Sequence, residues 1–197
     1  MKLLRKISNK IKSIKNILLF VFRNIYKTFR LKTISLKIQD ALYYRGLDKN
    51  NRLAAFNLYC KYSGNHKISL QNKIVWTYLG HKLCFVIEDK NKNVLGINFY
   101  YFNKRDYQER TIHEAFIGIS ETARGKGLAT ALRTRTISHF GHSFLKGISS
   151  RVSLNNEASL KSALKLGFKP IEKYYDENMN EDRYYLVCNF KENHDKY

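Results

Sequence analysis

The sequence predicts a mixed α/β domain whose central sheet is mostly antiparallel and flanked by helices, preceded by a basic amphipathic helix. Three observations lead to this prediction. Strand-like runs separated by polar turns follow one another in mid-chain, strand and helix patterns alternate after them, and apolar residues recur at helical spacing at the start. We therefore divide the chain into a helical appendage at residues 1–32 and a domain at residues 33–197.

The elements of this domain are predicted from periodicity and turn residues. The predicted strands are 33–38, 82–88, 94–102, 112–119, 148–154, 168–175 and 183–190. The predicted helices are 48–62, 70–79, 125–139 and 156–166. Because charged or polar turns separate the three strands between 82 and 119, we expect them to form an antiparallel meander, with residues 103–110 as its second turn.

The composition limits the class of protein. The 197 residues fit one domain with an appendage, and a hydrophobic fraction of 44% suffices for a packed core. The longest apolar run, residues 17–22, is far shorter than the roughly 18 residues that cross a membrane. The three cysteines lie far apart and share no zinc-binding spacing with histidine, which predicts free thiols, a cytoplasmic location and no metal site.

Positive charge is concentrated near the N-terminus. The chain has 36 Lys and Arg against 16 Asp and Glu, a formal charge of +20. Residues 1–39 contain 11 of the bases and no acid, so they carry +11, while the other 25 bases and all 16 acids give residues 40–197 a charge of +9. This asymmetry indicates an appendage with a role of its own.

The apolar residues of this appendage recur at steps of three and four and fall on one side of a helix. They are Leu4, Ile7, Ile11, Ile14, Leu18, Val21, Ile25 and Phe29. A coiled coil would have acids beside its seam, and none occur here. The pattern leaves open an anionic membrane surface, packing on the protein's own domain or on a second subunit, and an organellar transit peptide. A signal peptide is disfavoured because Arg23 interrupts the apolar run.

A short loop joins the third meander strand to the next helix and has small residues at Gly125, Gly127 and Ala129. Small residues let a ligand approach the backbone closely, and the free N–H groups of a first helical turn favour an anion. Arg124 and Lys126 add positive charge. The loop therefore predicts pyrophosphate binding, although its spacing is neither that of a Walker loop nor that of GxGxxG.

This loop resembles that of the GNAT superfamily of acyl-CoA-dependent N-acyltransferases. The family's Arg/Gln-x-x-Gly-x-Gly/Ala is matched by residues 124–129, and residues 156–168 are similar to its Asn-x-x-Ala…Lys-x-Gly-Phe helix. The resemblance covers about residues 33–190 and is best from 114 to 175. It does not extend to the N-terminal helix.

The resemblance implies a V-shaped splay between two strands that receives acetyl-CoA, or another acyl-CoA, as co-substrate. The pantetheine would pair with the strand before the loop. The implied cofactor-binding residues are Ile117, Ile119, Arg124, Gly125, Lys126, Gly127, Leu128, Ala129, Thr130 and Asn156. For Asn156, capping of the second helix is an alternative role that would be physically sufficient.

The same resemblance implies direct attack of an amine on the thioester, with a base that removes a proton. The candidate bases are Glu114 and His113, neighbours on one strand, of which only one can face the slot. Glu114 is favoured because family members often use a glutamate here; pairing with a basic neighbour is its alternative role. The family's tyrosine general acid falls at Ala163, so Tyr174 or Tyr175 would replace it, or the thiolate leaves without an acid.

The sequence therefore predicts an acyl-CoA-dependent N-acyltransferase acting on a small-molecule amine, with an amino sugar of envelope or surface polysaccharide among the acceptors. A non-catalytic membrane- or nucleic-acid-binding protein on the same scaffold is the alternative, although a charge of +9 is modest for nucleic acid. A homodimer is compatible with either function.

Four of the 16 acids fall within seven residues near the C-terminus: Asp176, Glu177, Glu181 and Asp182. They lie in the predicted loop between the last two strands. The hypothesis is that their field attracts a cationic acceptor, and a solvated charged turn is the alternative.

Overall fold

Residues 2–64 and 67–191 are described by the computed structural model, with side chains from Arg5 onward. The Leu4 side chain of the predicted apolar stripe and residues 192–197 of the predicted domain lie outside this part. The helices are α1 (Lys2–Phe29), α2 (Arg52–Tyr62), α3 (Leu70–Leu83), α4 (Lys104–Glu109), α5 (Leu128–Gly141) and α6 (Glu157–Lys165). The strands are β1 (Lys37–Gln39), β2 (Leu42–Gly46), β3 (Cys84–Glu88), β4 (Val94–Tyr101), β5 (Thr111–Ile119), β6 (Gly147–Ser153), β7 (Phe168–Asp176) and β8 (Glu181–Asn189).

In the described part of the chain, eight strands form one sheet in the order β1-β2-β3-β4-β5-β6-β8-β7. Neighbouring strands are antiparallel except β5 and β6, which run parallel. The mixed, mostly antiparallel fold class and the β3–β5 meander are confirmed. None of the helices described here combines the length and the apolar character that crossing a bilayer requires.

Helices cover both faces of the sheet. Phe99 and Tyr100 are consecutive in β4, so their side chains point to opposite faces. Tyr59 of α2 and Trp76 of α3 pack against Phe99, with the Trp76 and Phe99 rings 4.8 Å apart. Phe140 of α5 packs against Tyr100 at 5.1 Å. We call these the α2/α3 face and the α5/α6 face.

The sheet separates between β5 and β6, as the V-shaped splay requires. These strands pair only from Thr111 with Gly147 to Glu114 with Ser150. The pairing of β5 with β4 continues to Ile119, past a bulge that leaves Ala115 without a partner in the register. Beyond Glu114, the edge of β5 that faces β6 is therefore open.

The second half of α1 is part of the domain's packing. Phe20 contacts the ring of Tyr101 at 5.3 Å, and Asn24 is fully buried. The Asn24 amide donates to the Phe102 carbonyl at 3.1 Å, and its oxygen accepts from the Phe102 N–H at 2.8 Å. The boundary at residue 32 stays a prediction, but Phe20 and Asn24 already contact the sheet.

Two local predictions were wrong. The expected strand at 33–38 is a hairpin, β1 and β2, turned by Asp40 and Ala41 at φ values of 51° and 58°. Such a turn normally contains glycine or Asn-Gly, so this one gave no signal. The expected charged turn at 103–110 contains helix α4, because the Asn103 side chain accepts from the Asp106 N–H and caps its first turn.

Candidate active site

A cleft of about 1570 Å³ opens where β5 and β6 separate. Its wall contains residues 114–119 of β5, residues 150–153 of β6 and residues 155–159 before and within α6, together with residues 123–130 apart from Lys126. Tyr59 and Tyr62 of α2 line it from the other face. Because helices from both faces contribute, the cleft crosses the sheet at the splay.

The loop before α5 has the backbone that close approach of a ligand needs. Gly125 and Gly127 have φ values of 74° and 72°, in the left-handed region that favours glycine. A Cβ built on either glycine meets nothing within 4 Å, so both border open space. Helix α5 begins at Leu128, and its first N–H groups have no partner within the helix. This geometry fits an anionic group such as a pyrophosphate.

Nine of the ten residues predicted to bind the co-substrate line the cleft. They are Ile117, Ile119, Arg124, Gly125, Gly127, Leu128, Ala129, Thr130 and Asn156. The tenth, Lys126, is exposed in the loop and does not line it. The Asn156 side chain accepts from the Ser159 N–H at 3.1 Å, so it caps α6 and has the alternative role considered for it.

Sequence reasoning missed Tyr62, which α2 brings to the loop. Its hydroxyl accepts from the Glu121 N–H at 3.0 Å, and the Arg124 guanidinium lies 4.8 Å from its ring centroid. A guanidinium over an aromatic face is favourable, so Tyr62 helps to orient Arg124 at the cleft. No local pattern could have revealed a contact across 59 residues.

Glu114 faces α5 and α6 and lines the cleft, but it is held by several donors. It accepts from Arg133 Nη2 at 2.8 Å, from Asn98 Nδ2 at 3.0 Å and from Ser150 Oγ at 2.8 Å. Arg133 also donates to the Ser159 carbonyl at 2.9 Å, which ties α5 to α6. Glu114 thus has the alternative role, pairing with a base, and that base lies on a helix rather than across the sheet.

The charge of Glu114 follows from these contacts. Burial by itself would raise the pKa of the carboxyl, but the Arg133 guanidinium and the hydrogen bonds outweigh burial and hold the pKa below its usual 4.5. Glu114 is therefore ionised at neutral pH and weakly basic.

His113 points to the opposite, α2/α3 face, and begins a chain of polar contacts. Its Nδ1 lies 2.7 Å from Ser149 Oγ, which donates to Asp106 Oδ1 at 2.6 Å. Thr111 donates to the same Asp106 oxygen at 2.6 Å. Because the Ser149 proton is directed to Asp106, Ser149 accepts from His113, which assigns the proton to Nδ1 and leaves Nε2 as an acceptor.

His113 is 3% exposed and does not border the cleft directly. Burial lowers its pKa to about 4, although Asp106 acts in the opposite direction. The imidazole is therefore neutral at pH 7 and, like Glu114, weakly basic in these surroundings. The carboxylate of Asp106 is fully buried, and its Oδ2 lies 3.8 Å from His113 Nδ1.

The two tyrosines proposed as acids differ in position. The Tyr174 hydroxyl is buried and has no hydrogen-bond partner among the residues described, and burial raises its pKa. Tyr175 is exposed and its hydroxyl donates to Asn180. Neither residue lines the cleft. Ala163, where the family has tyrosine, is fully buried.

The acids around the β7–β8 turn are mostly paired. Asp176 and Glu181 lie 3.3 and 3.5 Å from Arg183, and Asp182 lies 3.1 Å from Lys173. Two bases thus face four acids, since Asp176 and Glu181 share Arg183, so the negative charge is compensated only in part and the cationic-acceptor hypothesis stays a prediction. The Ser153 hydroxyl also donates to Glu181 at 2.6 Å, so these residues join β6 to β8.

Among residues 2–64 and 67–191, no three His, Cys, Asp or Glu side chains converge as metal ligands. Cys60, Cys84 and Cys188 form no disulfide in the part of the chain that the structure describes, and Cys84 and Cys188 are buried. The cleft places an open strand edge beside a glycine loop and a helix N-terminus, and this combination fits the chemistry of an acyl-CoA.

This fold and cleft define an acyl-CoA-dependent transferase scaffold. The family model of the acetyltransferase (GNAT) family matches residues 50–168, more than half of the sequence, and the chain belongs to this family. Membership makes it an acyl-CoA-dependent N-acyltransferase, as the sequence predicted, with an acyl-CoA as co-substrate. Among curated protein sequences none matches the chain.

Solved structures share the fold at low sequence identity. Mutant forms of the spermidine/spermine N-acetyltransferase of Vibrio cholerae are 19% identical, with a TM-score of 0.61 over 80% of this chain and 99% of that one. A GNAT-family acetyltransferase of Bacillus cereus is 18% identical, with a TM-score of 0.60 over 75% and 96%. NAA60 of Arabidopsis thaliana, in complex with a bisubstrate analogue, is 12% identical, with a TM-score of 0.61 over 75% and 97%.

Proposed function

We propose that the protein transfers an acetyl group from acetyl-CoA to the primary amine of a small molecule, in the cytoplasm. One observation carries the proposal. The open edge of β5 beyond Glu114 and the loop at Gly125 and Gly127 border the same cleft. The strand edge offers hydrogen bonds to an extended pantetheine, and the loop offers N–H groups to its phosphates.

In the proposed reaction, the amine nitrogen attacks the thioester carbonyl carbon, and the carbonyl oxygen gains negative charge. A backbone N–H on the open edge of β5 near the Ala115 bulge would stabilise this oxygen. The carbon–sulfur bond then breaks, the amide forms, and CoA leaves as a thiolate. The role of Tyr174 as general acid for the leaving thiolate stays a prediction. Its hydroxyl has no hydrogen-bond partner among the described residues, and Tyr174 does not line the cleft.

The proton lost by the amine goes, in this proposal, to His113 rather than to Glu114. The pKa of both groups is lowered, so the choice rests on their contacts: the Glu114 oxygens already accept from Arg133, Asn98 and Ser150. The contact of its Nδ1 with Ser149 leaves His113 Nε2 without a proton on the α2/α3 face. A water molecule would carry the proton to it, because His113 is buried beside the cleft. Asp106 and Ser149 then act as positioning residues.

The acceptor is proposed to be a small amine, and the comparisons give two directions. Several structural relatives are spermidine N-acetyltransferases, and one is NAA60. A polyamine is thus a reasonable first substrate to test. The amino sugar inferred from the sequence has no support among these relatives and stays a prediction, as does a homodimer.

Calorimetry with acetyl-CoA tests the binding step. Gly127→Glu places a negative charge in the loop and should weaken binding by about tenfold or more, because the carboxylate repels phosphate. Gly167→Glu is the matched control: Gly167 also has a left-handed backbone, at φ 84°, but does not line the cleft. Wild-type protein that does not bind acetyl-CoA would refute the proposal.

Mass detection of products from a panel of amines tests the acceptor. The panel contains spermidine, a free amino sugar, a nucleotide-linked amino sugar and a peptide N-terminus, each with acetyl-CoA. Acetylated spermidine or amino sugar supports a small-molecule acceptor. Transfer to the peptide alone would refute it.

A further inference from the structure

We propose that the exposed face of α1 binds the surface of an anionic lipid bilayer, with the helix lying in the plane of the membrane. Seven large apolar side chains form this face, and their exposed fractions run from 48% to 86%. They are Ile7, Ile11, Ile14, Leu18, Phe22, Ile25 and Phe29. At 3.6 residues per turn they fall within about 80° of the helix circumference.

The described part of the domain does not cover this face. The side of α1 that packs on the domain is a different one, with Phe20, Asn24 and Thr28 buried there. Every side chain from residue 5 to residue 16 is exposed. Packing on its own domain, one of the alternatives that the sequence left open, is therefore realised only by the second half of the helix.

Charge favours lipid over a second copy of the chain. The first 39 residues contain 11 bases and no acid, so two α1 helices placed side by side would repel each other. The rest of the chain carries +9, so a second copy would bring further net positive charge to α1. The apolar face would insert at the boundary between headgroups and acyl chains. The Lys and Arg that flank this face would then lie level with the anionic headgroups, which attract them.

A basic cluster adjoins the C-terminal end of α1. Arg30 and Arg110 are exposed and add to this attraction, whereas Lys27 is buried against the domain. Lys27 lies 4.3 Å from the Tyr107 ring centroid, Arg30 lies 4.4 Å from that of Phe144, and Arg110 donates to the Phe144 carbonyl at 3.0 Å. No acid of the described chain lies within ion-pair distance of these three bases. Burial, Arg30 and Arg110 lower the pKa of Lys27, as expected for bases gathered without a counterion.

Co-sedimentation of the full chain with vesicles tests the proposal. Vesicles prepared from phosphatidylcholine with 30% phosphatidylglycerol should bind the protein, and vesicles of pure phosphatidylcholine should bind it far less. Added salt should weaken binding to the anionic vesicles. The double variant Ile11→Asp with Leu18→Asp should lose binding by about thirtyfold or more, because burying each of these side chains contributes about tenfold or more to partitioning. Its acetyl transfer to a soluble amine should not change.

A matched double variant controls for added negative charge. Leu53→Asp with Ile171→Asp alters one leucine and one isoleucine that are 73% and 58% exposed, compared with 61% for Ile11 and 63% for Leu18. This variant should bind vesicles nearly as well as wild type. Equal binding by both double variants, or no binding of wild type to either vesicle, overturns the proposal. The proposal is also overturned if light scattering shows that the wild type is a dimer and that the variant Ile11→Asp with Leu18→Asp is a monomer, because a second copy would then cover this face.

Discussion

Glu114 and Arg133 form a buried ion pair in the wall of the cleft, with Arg133 Nη2 2.8 Å from Glu114 Oε2 and side chains 1% and 2% exposed. Glu114 is the last residue of β5 that pairs with β6, and Arg133 lies on helix α5. The ion pair therefore lies at the point where the sheet separates. Arg133 reaches on to Ser159 of α6. The ion pair thus fixes both helices beside the splay, and this explains why a carboxylate expected to be a base is fully occupied.

Removing one partner of this pair should be costly. Arg133→Met leaves an uncompensated buried carboxylate, and we expect the free energy of unfolding to fall by about 3–5 kcal/mol. Glu114→Gln combined with Arg133→Met should cost less than the sum of the single variants, because no buried charge remains. Urea unfolding of the four proteins measures this. Additive costs would show that the two residues act independently.

The ion pair also predicts how stability depends on acid. The folded pKa of Glu114 is below its usual 4.5, so its contribution is present above that value and is lost as the pH falls through the folded pKa. Wild type should therefore lose stability below about pH 4.5 faster than Glu114→Gln. Chemical unfolding between pH 7 and pH 3 compares them, and parallel curves would contradict the low pKa.

The kinetics should separate the two candidate bases. If His113 takes the proton, His113→Gln should lower kcat by about 10²–10⁴. Ser149→Ala should lower kcat less, because it removes only the hydrogen bond that holds the His113 proton on Nδ1. Ser150→Ala is the matched control, since Ser150 is the next residue along β6 and bonds Glu114 on the opposite face. Steady-state rates at saturating acetyl-CoA measure this. A larger loss in Glu114→Gln, with that protein folded, would assign the base to Glu114.

His113 should produce its own pH dependence of stability. Its folded pKa of about 4 lies below the 6.5 of an exposed histidine, so the unfolded chain binds the proton first. Stability should fall as the pH drops from about 6.5 to about 4, and His113 should contribute no slope above that window. In His113→Gln the slope between these values should be smaller. Thermal unfolding of wild type and His113→Gln across this pH range measures the difference, and equal slopes would contradict the lowered pKa of His113.

The packing of α1 predicts where the chain can be shortened. A protein that begins at Asn16 should keep the wild-type melting temperature, because residues 5–16 have no buried side chain. A protein that begins at Lys32 loses Asn24 and leaves the Phe102 N–H without its partner, which should cost about 1–3 kcal/mol in addition to the lost burial of Phe20. Calorimetric melting compares the two. Equal melting temperatures would show that α1 is wholly dispensable.

The acids near the β7–β8 turn should act on stability more than on acceptor binding. Neutralising Asp176, Glu181 and Asp182 as Asn or Gln frees Arg183 and Lys173 from their partners. We expect a loss of stability of about 1 kcal/mol and little change in KM for a cationic amine. Glu177→Gln, which alters no ion pair found in the described residues, is the control. A large rise in KM with unchanged stability would instead support the cationic-acceptor hypothesis.

The sequence by itself determined the features that depend on local pattern. Periodicity placed the meander and the later helices, and the spacing of Arg124, Gly125 and Gly127 predicted a loop whose left-handed glycines the structure contains. Such features need only neighbours in the chain, because turn conformation and helix starts are decided by a few adjacent residues. The missed β1–β2 hairpin lacked the glycine that would have marked it.

Only the tertiary structure decided the partners of the side chains. Alternation along β5 showed that His113 and Glu114 face opposite sides, but not which side holds Arg133 and which holds Ser149 and Asp106. Those partners come from positions 7 to 36 residues away, and the burial that lowers the pKa of His113 exists only when the sheet and helices are packed. Basicity and burial are properties of the folded surroundings, so residue type and spacing alone could not assign them.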